Sequence, residues 1–140
     1  MSYLLDTCVL SELVKPRPNA NLAKWIESRE ETRFYLSVLS FGELTKGITR
    51  LPAGAKQKRL QVWLDEDLAQ RFSGRVMPID QIVAAAWGEL QARAEKRGRP
   101  MPVVDGLIAA TAAVHSLAIV TRNTEDMAQS GVEILDPWTT

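Results

Sequence analysis

Cysteine and histidine are almost absent from this 140-residue chain, which has one of each, Cys8 and His115. One cysteine cannot close an internal disulfide and suits a reducing cytoplasm. One histidine leaves no partner for paired-imidazole acid–base chemistry, and His115, at the tail of an apolar segment, reads as structural. No sign of charge dominates either. The 17 basic and 17 acidic residues cancel, so the chain has no bulk attraction for nucleic acid and any such binding needs a local patch. Long apolar runs are missing: the most apolar segment, Val103 to Val114, is broken by Asp105 and is too short to cross a bilayer. Asp6 and Glu12 interrupt the region where a signal peptide would need unbroken apolar residues. There is no repeat, low-complexity tract or linker. With 46% hydrophobic and 24% charged residues, one globular domain over 1–140 in the cytoplasm is expected.

What is present is an alternation of apolar stretches and helical patterns. Tyr3 to Asp6 predicts a short buried strand running into a helix around Val9 to Val14, which Pro16 and Pro18 stop. A second helix begins near Asn21, with Leu22, Trp25 and Ile26 at helical spacing. Phe34 to Val38 predicts the second strand, and Ser40 the start of a helix through Leu44 and Ile48. Leu60, Trp63, Leu64 and Leu68 mark another amphipathic helix. Val76 to Ile79 predicts a short strand, and Asp80 the cap of a helix with Ile82, Val83, Ala86, Trp87, Leu90 and Ala94 on its buried face. The next helix, about Val103 to Ser116, is apolar nearly all round and should be central. Ala118 to Thr121 and Val132 to Leu135 complete the strands. Burial is the expectation for Trp25, Trp63 and Trp87. The order predicts an α/β fold: a three-layer α/β/α sandwich around a mainly parallel sheet of four to five short strands.

Four acids, Asp6, Glu43, Asp105 and Asp126, each fall where an apolar stretch meets a helix start. In a parallel sheet the strand C-termini and the following helix N-termini share one edge, where ligands bind. The four should therefore converge. At an effective dielectric of about 20, two carboxylates about 4 Å apart repel by roughly 4 kcal/mol, so the cluster calls for a cation. All-oxygen donors favour Mg²⁺ or Mn²⁺. Each acid also has a structural explanation. Asp6 could cap its helix, and Glu43 could close a capping box with Ser40. Asp105 could complement a helix macrodipole, and Asp126 could belong to a cap begun by Asn123.

The segments Leu4-Leu5-Asp6-Thr7-Cys8-Val9-Leu10-Ser11-Glu12-Leu13, Ser37-Val38-Leu39-Ser40-Phe41-Gly42-Glu43-Leu44, Asp105-Gly106-Leu107-Ile108-Ala109-Ala110-Thr111-Ala112 and Thr121-Arg122-Asn123-Thr124-Glu125-Asp126 carry a family resemblance. In this order and spacing, with the terminal Asp136-Pro137-Trp138, the whole chain resembles the PIN domain, and within it the VapC and FitB type toxins of toxin–antitoxin pairs. Two departures stand out: Cys8 occupies a position that is usually Asn, and Met127 replaces the aromatic that usually follows the fourth acid.

The resemblance implies a metal-dependent endoribonuclease in which Asp6, Glu43, Asp105 and Asp126 hold one or two Mg²⁺ or Mn²⁺ ions. Thr7, Asn123 and Thr121 would be polar residues that orient those ligands. It also implies a homodimer, and a partner antitoxin lying in a groove near the first helices, through which the complex would reach operator DNA. Arg97, Arg99 and Arg122 are the expected RNA contacts, although surface charges are usually no more than solvated. Two other strand-end aspartate chemistries do not fit. A haloacid-dehalogenase-type phosphatase needs an Asp-x-Asp pair, but Cys8 holds the second position, and the acids and lysine of a receiver domain are missing. A non-catalytic module that uses the same pocket to bind its partner is the alternative.

Overall fold

A computed structural model describes residues 1–139. Five strands form one sheet in the order β3-β2-β1-β4-β5, namely β1 (Tyr3–Leu5), β2 (Phe34–Ser37), β3 (Val76–Met77), β4 (Ala118–Val120) and β5 (Ile134–Leu135). Every pairing is parallel, as the alternating pattern predicts. Strands two to four residues long alternate their faces. Tyr3, Leu5, Ala118 and Val120 join one apolar cluster, while Leu4 and Ile119 join a second on the other side. Both faces are therefore covered, which is why the strand segments read as continuous apolar runs.

The chain moves outward from β1 to β2 and β3, then returns to place β4 on the other side of β1. The gap between β1 and β4 is thus the point where strand order reverses, the ligand-binding crevice of open parallel sheets. Leu5 pairs with Val120, so the next residues, Asp6 and Thr121, emerge side by side at that crevice.

Helices α1 (Thr7–Leu13), α2 (Ala20–Glu27) and α3 (Val38–Thr49) lie on the larger cluster's side. So does a continuous helix made of α4 (Ala55–Val62), a π-helical stretch Trp63–Leu68 and α5 (Ala69–Arg71). Leu64 and Leu68, on the π stretch, are buried in the core as their spacing predicts. Helices α6 (Gln81–Lys96), α7 (Val103–His115) and α8 (Thr124–Met127) follow, and α7 and α8 supply Ile108, Ala109, Ala112 and Met127 to the second cluster. Among the described residues no helix is long and apolar enough to cross a membrane.

Local boundaries depart from the sequence pattern in ways that matter at the site. The first helix starts at Thr7, two residues before the first apolar position, because Asp6 Oδ1 accepts the Thr7 N–H at 2.8 Å. The third starts at Val38 and is capped by Ser37, whose Oγ accepts the Leu39 N–H at 3.1 Å. Ser40 is therefore not a cap; it is fully buried in the first turn. Glu43 lies a turn further on, beyond reach of a capping box. Removing the true cap with Ser37→Ala should cost about 1 kcal/mol, read as a lower urea midpoint at unchanged m-value.

Asp80 caps α6 as predicted, accepting the Val83 N–H at 2.9 Å. The buried face of α6 is shorter than predicted, since Ile82 is 67% exposed. The central turns of α7 are buried from Gly106 to Ala112 apart from half-buried Leu107, but Val103 at its start is 57% exposed. A Cβ at Gly106 would sit 3.0 Å from Trp87 Cδ1 and Nε1; glycine is what lets the indole of α6 lie against α7. Trp25, Trp63 and Trp87 are half-buried rather than enclosed. Trp25 packs edge-on against Tyr3 at 5.0 Å and carries the Arg29 guanidinium 4.1 Å from its ring centroid.

Candidate active site

A cleft of about 390 Å³ opens at the β1–β4 crevice, lined by Asp6, Thr7, Cys8, Glu43, Asp105 and Asn123, among others. Asp6 is only 3% exposed and both its oxygens are engaged. Oδ1 accepts the Thr7 N–H, and Oδ2 accepts the hydroxyl of fully buried Thr121 at 2.7 Å. Thr121 Oγ1 in turn accepts the Asn123 N–H at 3.0 Å. The capping role of Asp6 is real, and it aims the carboxylate without removing it from the cleft.

Glu43 is held from the neighbouring helix. Thr7 Oγ1 lies 2.6 Å from Glu43 Oε1 and 2.9 Å from Ser40 Oγ. Thr7 has one hydroxyl proton and an ionised carboxylate can only accept, so that proton goes to Glu43 and Ser40 donates to Thr7. The order Ser40, Thr7, Glu43 is a directed chain of hydrogen bonds between α3 and α1. The Ser-x-x-Glu spacing of Ser40 and Glu43 predicts a cap at Ser40 instead. The available signal was its spacing, since residues three apart on a helix share a face.

Asp105, in the first turn of α7, is half-buried. Burial first, then the charges of Asp6, Asp126 and Glu43, push its carboxyl up to about 6. Asp6, Asp126 and Glu43 are thus each within electrostatic reach of Asp105. Asp126 itself is exposed in the first turn of α8 and does not line the cleft. Its capping alternative is not realised, because Asn123 makes no side-chain cap bond.

Cys8 also lines the cleft. Its Sγ lies 3.7 Å from Asp6 Oδ2 and 3.5 Å from Thr121 Oγ1, and accepts the Arg122 N–H at 3.5 Å. Burial, reinforced by the charge of Asp6, pushes the thiol up, so Cys8 faces the site as a neutral thiol. The anionic donors are all hard oxygens, which suits Mg²⁺ or Mn²⁺. Among the described residues no three His, Cys, Asp or Glu side chains close round an ion by themselves. Mg²⁺ is usually held by one or two carboxylates and keeps several waters, for which a cleft of this size has room.

The predicted RNA contacts separate. Arg122 lines the cleft. Arg97 donates to the Gln129 Oε1 and backbone oxygen at 3.0 and 3.3 Å, Arg99 is exposed beyond α6, and neither lines the cleft. Lys15, which no motif in the sequence marks, also lines the cleft and pairs with Glu12 at 3.0 Å. Lys15, Ser11 and Glu43 are shared with a larger adjoining groove of about 810 Å³ between α1, α3 and α4. The groove has an apolar floor that includes Val14, Leu44, Ile48, Leu60 and Trp63, with Lys56, Lys58 and Arg59 along α4.

Comparison with known proteins agrees with this geometry. The PIN domain family model matches residues 3–131. Toxin FitB of Neisseria gonorrhoeae is 36% identical over 135 residues, covering 96% of this chain and 97% of FitB. VapC ribonuclease Y4jK of Sinorhizobium fredii is 34% identical, covering 96% of each. A solved structure of FitAB bound to an IR36 DNA fragment superimposes with a TM-score of 0.91 at 34% identity, over 97% of this chain and 95% of the other. The family model and these relatives agree: the chain belongs to the PIN-domain family, beside the FitB and VapC proteins.

Proposed function

We propose that this protein is a divalent-metal-dependent endoribonuclease and the toxin of a toxin–antitoxin pair. The observation that carries the reading is the carboxyl of Asp105, raised to about 6 by burial and by three neighbouring acids. Carboxylates brought this close to a ligand crevice repel one another, and a cation held among them relieves that repulsion. A ribonuclease among the relatives supports the substrate class.

Asp6, Glu43, Asp105 and Asp126 would hold Mg²⁺ or Mn²⁺, one or two ions per chain. A bound ion of this kind lowers the pKa of a water and offsets charge building on a phosphate. The chain's own residues do the rest. The Thr7 N–H and Thr121 hydroxyl fix the two oxygens of Asp6, and the Thr7 hydroxyl fixes Glu43 Oε1. Positive charge in the cleft would favour the ionised form of Asp105, so metal binding would release protons near pH 6. Arg122 is set to receive a phosphate of the RNA strand.

The adjoining groove is the seat we assign to the partner protein, since it is apolar, large and joined to the cleft through Glu43. A solved complex that includes DNA, FitAB, supports an assembly that reaches DNA through that partner.

The test is cleavage of total RNA by the partner-free protein with Mg²⁺, with Mn²⁺ and with EDTA, alongside Asp6→Asn. Metal-dependent cleavage that Asp6→Asn abolishes while remaining folded is the expected result. Equal cleavage in EDTA would remove the metal reading. If no RNA is cut in any metal and expression does not slow growth, the partner-binding module takes its place.

A further inference from the structure

The C-terminal turn lies beyond the 3–131 stretch that the family model matches, yet it forms part of the cleft. Strand β5 pairs with β4, and the Thr121 N–H donates to the Leu135 carbonyl at 3.0 Å. The chain therefore leaves the sheet beside the Thr121–Arg122 corner. A 3-10 turn, Pro137–Thr139, then folds back. It is tied down at both ends of Trp138: Asp136 Oδ1 accepts the Trp138 N–H at 3.0 Å, and Asn21 Nδ2 donates to the Trp138 carbonyl at 3.0 Å. This places the Trp138 side chain at the cleft, with the Arg122 guanidinium 5.8 Å from its ring centroid.

Two features argue that the indole is there for its face. Its Nε1 is buried without a hydrogen-bond partner, a cost that Phe or Leu would not carry in the same space. Tryptophan also offers the best aromatic surface for a cation. Arg122 is otherwise exposed, and a long arginine side chain in water samples many rotamers. A ring beneath it restricts that freedom to the side of the cleft.

We infer that Trp138 is a positioning residue that holds the Arg122 guanidinium at the cleft, ready for a phosphate of the RNA strand. The inference rests on the reading of the cleft as an RNA-cleaving site. Trp138 need not touch the reacting atoms. Its effect passes through Arg122, so it should be felt in RNA binding and should vanish when Arg122 is gone.

The test is a double-mutant cycle on binding, separated from turnover. A labelled single-stranded RNA of about 20 nucleotides is titrated with the partner-free protein in Ca²⁺, with the RNA recovered intact on a gel. Arg122→Gln should weaken binding and flatten the dependence of log K on log salt by about 0.7, the share of one phosphate contact on a single strand. Trp138→Leu should weaken binding about two- to five-fold, the range of a cation–π contact at an exposed site, and should flatten the same slope in part. The double variant should bind no more weakly than Arg122→Gln alone. Trp138→Phe, which keeps a ring with a weaker face, should fall between wild type and Trp138→Leu, and it carries the test if the leucine variant unfolds.

Additive effects of the two substitutions, or an unchanged salt slope in Trp138→Leu and Trp138→Phe, would overturn the inference. So would a wild-type protein that does not bind this RNA. Cleavage in Mg²⁺ is scored separately. A protein that binds with the predicted coupling but never cuts loses the nuclease reading alone, and one that cuts without coupling loses only the role of Trp138.

Discussion

Asp105→Asn is expected to leave the protein folded, to lower RNA cleavage by about two orders of magnitude or more, and to stabilise the metal-free protein. The loss of cleavage follows from removing an anionic donor on which a cation and its water depend. The gain in stability follows from linkage. The Asp105 carboxyl lies at about 6 in the folded protein against an ordinary value of 3.8. Between those values the folded state binds more protons than the unfolded state, so this group's contribution makes stability fall as pH rises. Below the window the carboxyl is neutral in both states and costs nothing; above it the ionised group destabilises the fold by a constant amount. For a fully buried group the rise would correspond to about 3 kcal/mol, and solvent screening at this half-buried side chain reduces that to about 1–2 kcal/mol.

In EDTA, wild type should therefore melt a few degrees higher at pH 5 than at pH 7.5 relative to Asp105→Asn, with the variant about 3–6 °C above wild type at the higher pH. The comparison with the variant cancels whatever other groups contribute over the same pH range. Adding Mg²⁺ should raise the melting temperature of wild type and narrow the gap. A variant that melts below wild type in EDTA would mean that Asp105 serves the helix dipole of α7 more than the cleft.

Much of this arrangement is legible in the sequence because the fold makes chemistry local. A parallel sheet sends every strand end to one edge, so an acid that follows an apolar run is placed by topology before any contact is known. Asp6, Glu43 and Asp105 could be read in this way, and all three line the cleft. The five strands, the parallel pairing and the Asp80 cap follow from pattern for the same reason. What failed depends on sequence-distant neighbours. Ser40 looks like a cap because Ser-x-x-Glu is the capping-box pattern, but Ser37 takes the helix start and leaves Ser40 to face Thr7 across α1. Periodicity places the first helix at Val9 because Thr7 and Cys8 break the apolar pattern; they do so because they face the cleft. No local pattern marks Lys15 or Trp138 as site residues; the short length of α1 and the turn after β5 bring them to the cleft. Arg97 and Arg99 are near Asp105 in the chain, yet they follow the end of α6 and do not line the cleft, and Arg97 reaches Gln129 instead.

Thr121→Val is expected to have the second large effect, and it separates aim from charge. Valine matches the shape of threonine but lacks the hydroxyl, and this position is fully buried. The hydroxyl donates to Asp6 Oδ2 at 2.7 Å and accepts the Asn123 N–H at 3.0 Å. The substitution takes a charge-assisted donor from a carboxylate that is 3% exposed and leaves a backbone N–H without its acceptor. The two losses together should cost about 2–4 kcal/mol, seen as a melting temperature lower by roughly 6–12 °C. The remaining neighbour of Asp6 Oδ2 is the Cys8 thiol at 3.7 Å, too weak and distant a donor to compensate. With one oxygen released, Asp6 should rotate, and metal affinity should fall about 10–100-fold, the usual consequence of losing a partner that orients a ligand. Thr121→Ser keeps the hydroxyl and should recover most of the metal affinity even where the lost methyl lowers stability. Metal titration followed by melting temperature measures both quantities in one experiment. If Thr121→Val and Thr121→Ser bind metal equally well, Asp6 is aimed by the Thr7 N–H alone and Thr121 serves only to close the β4 corner.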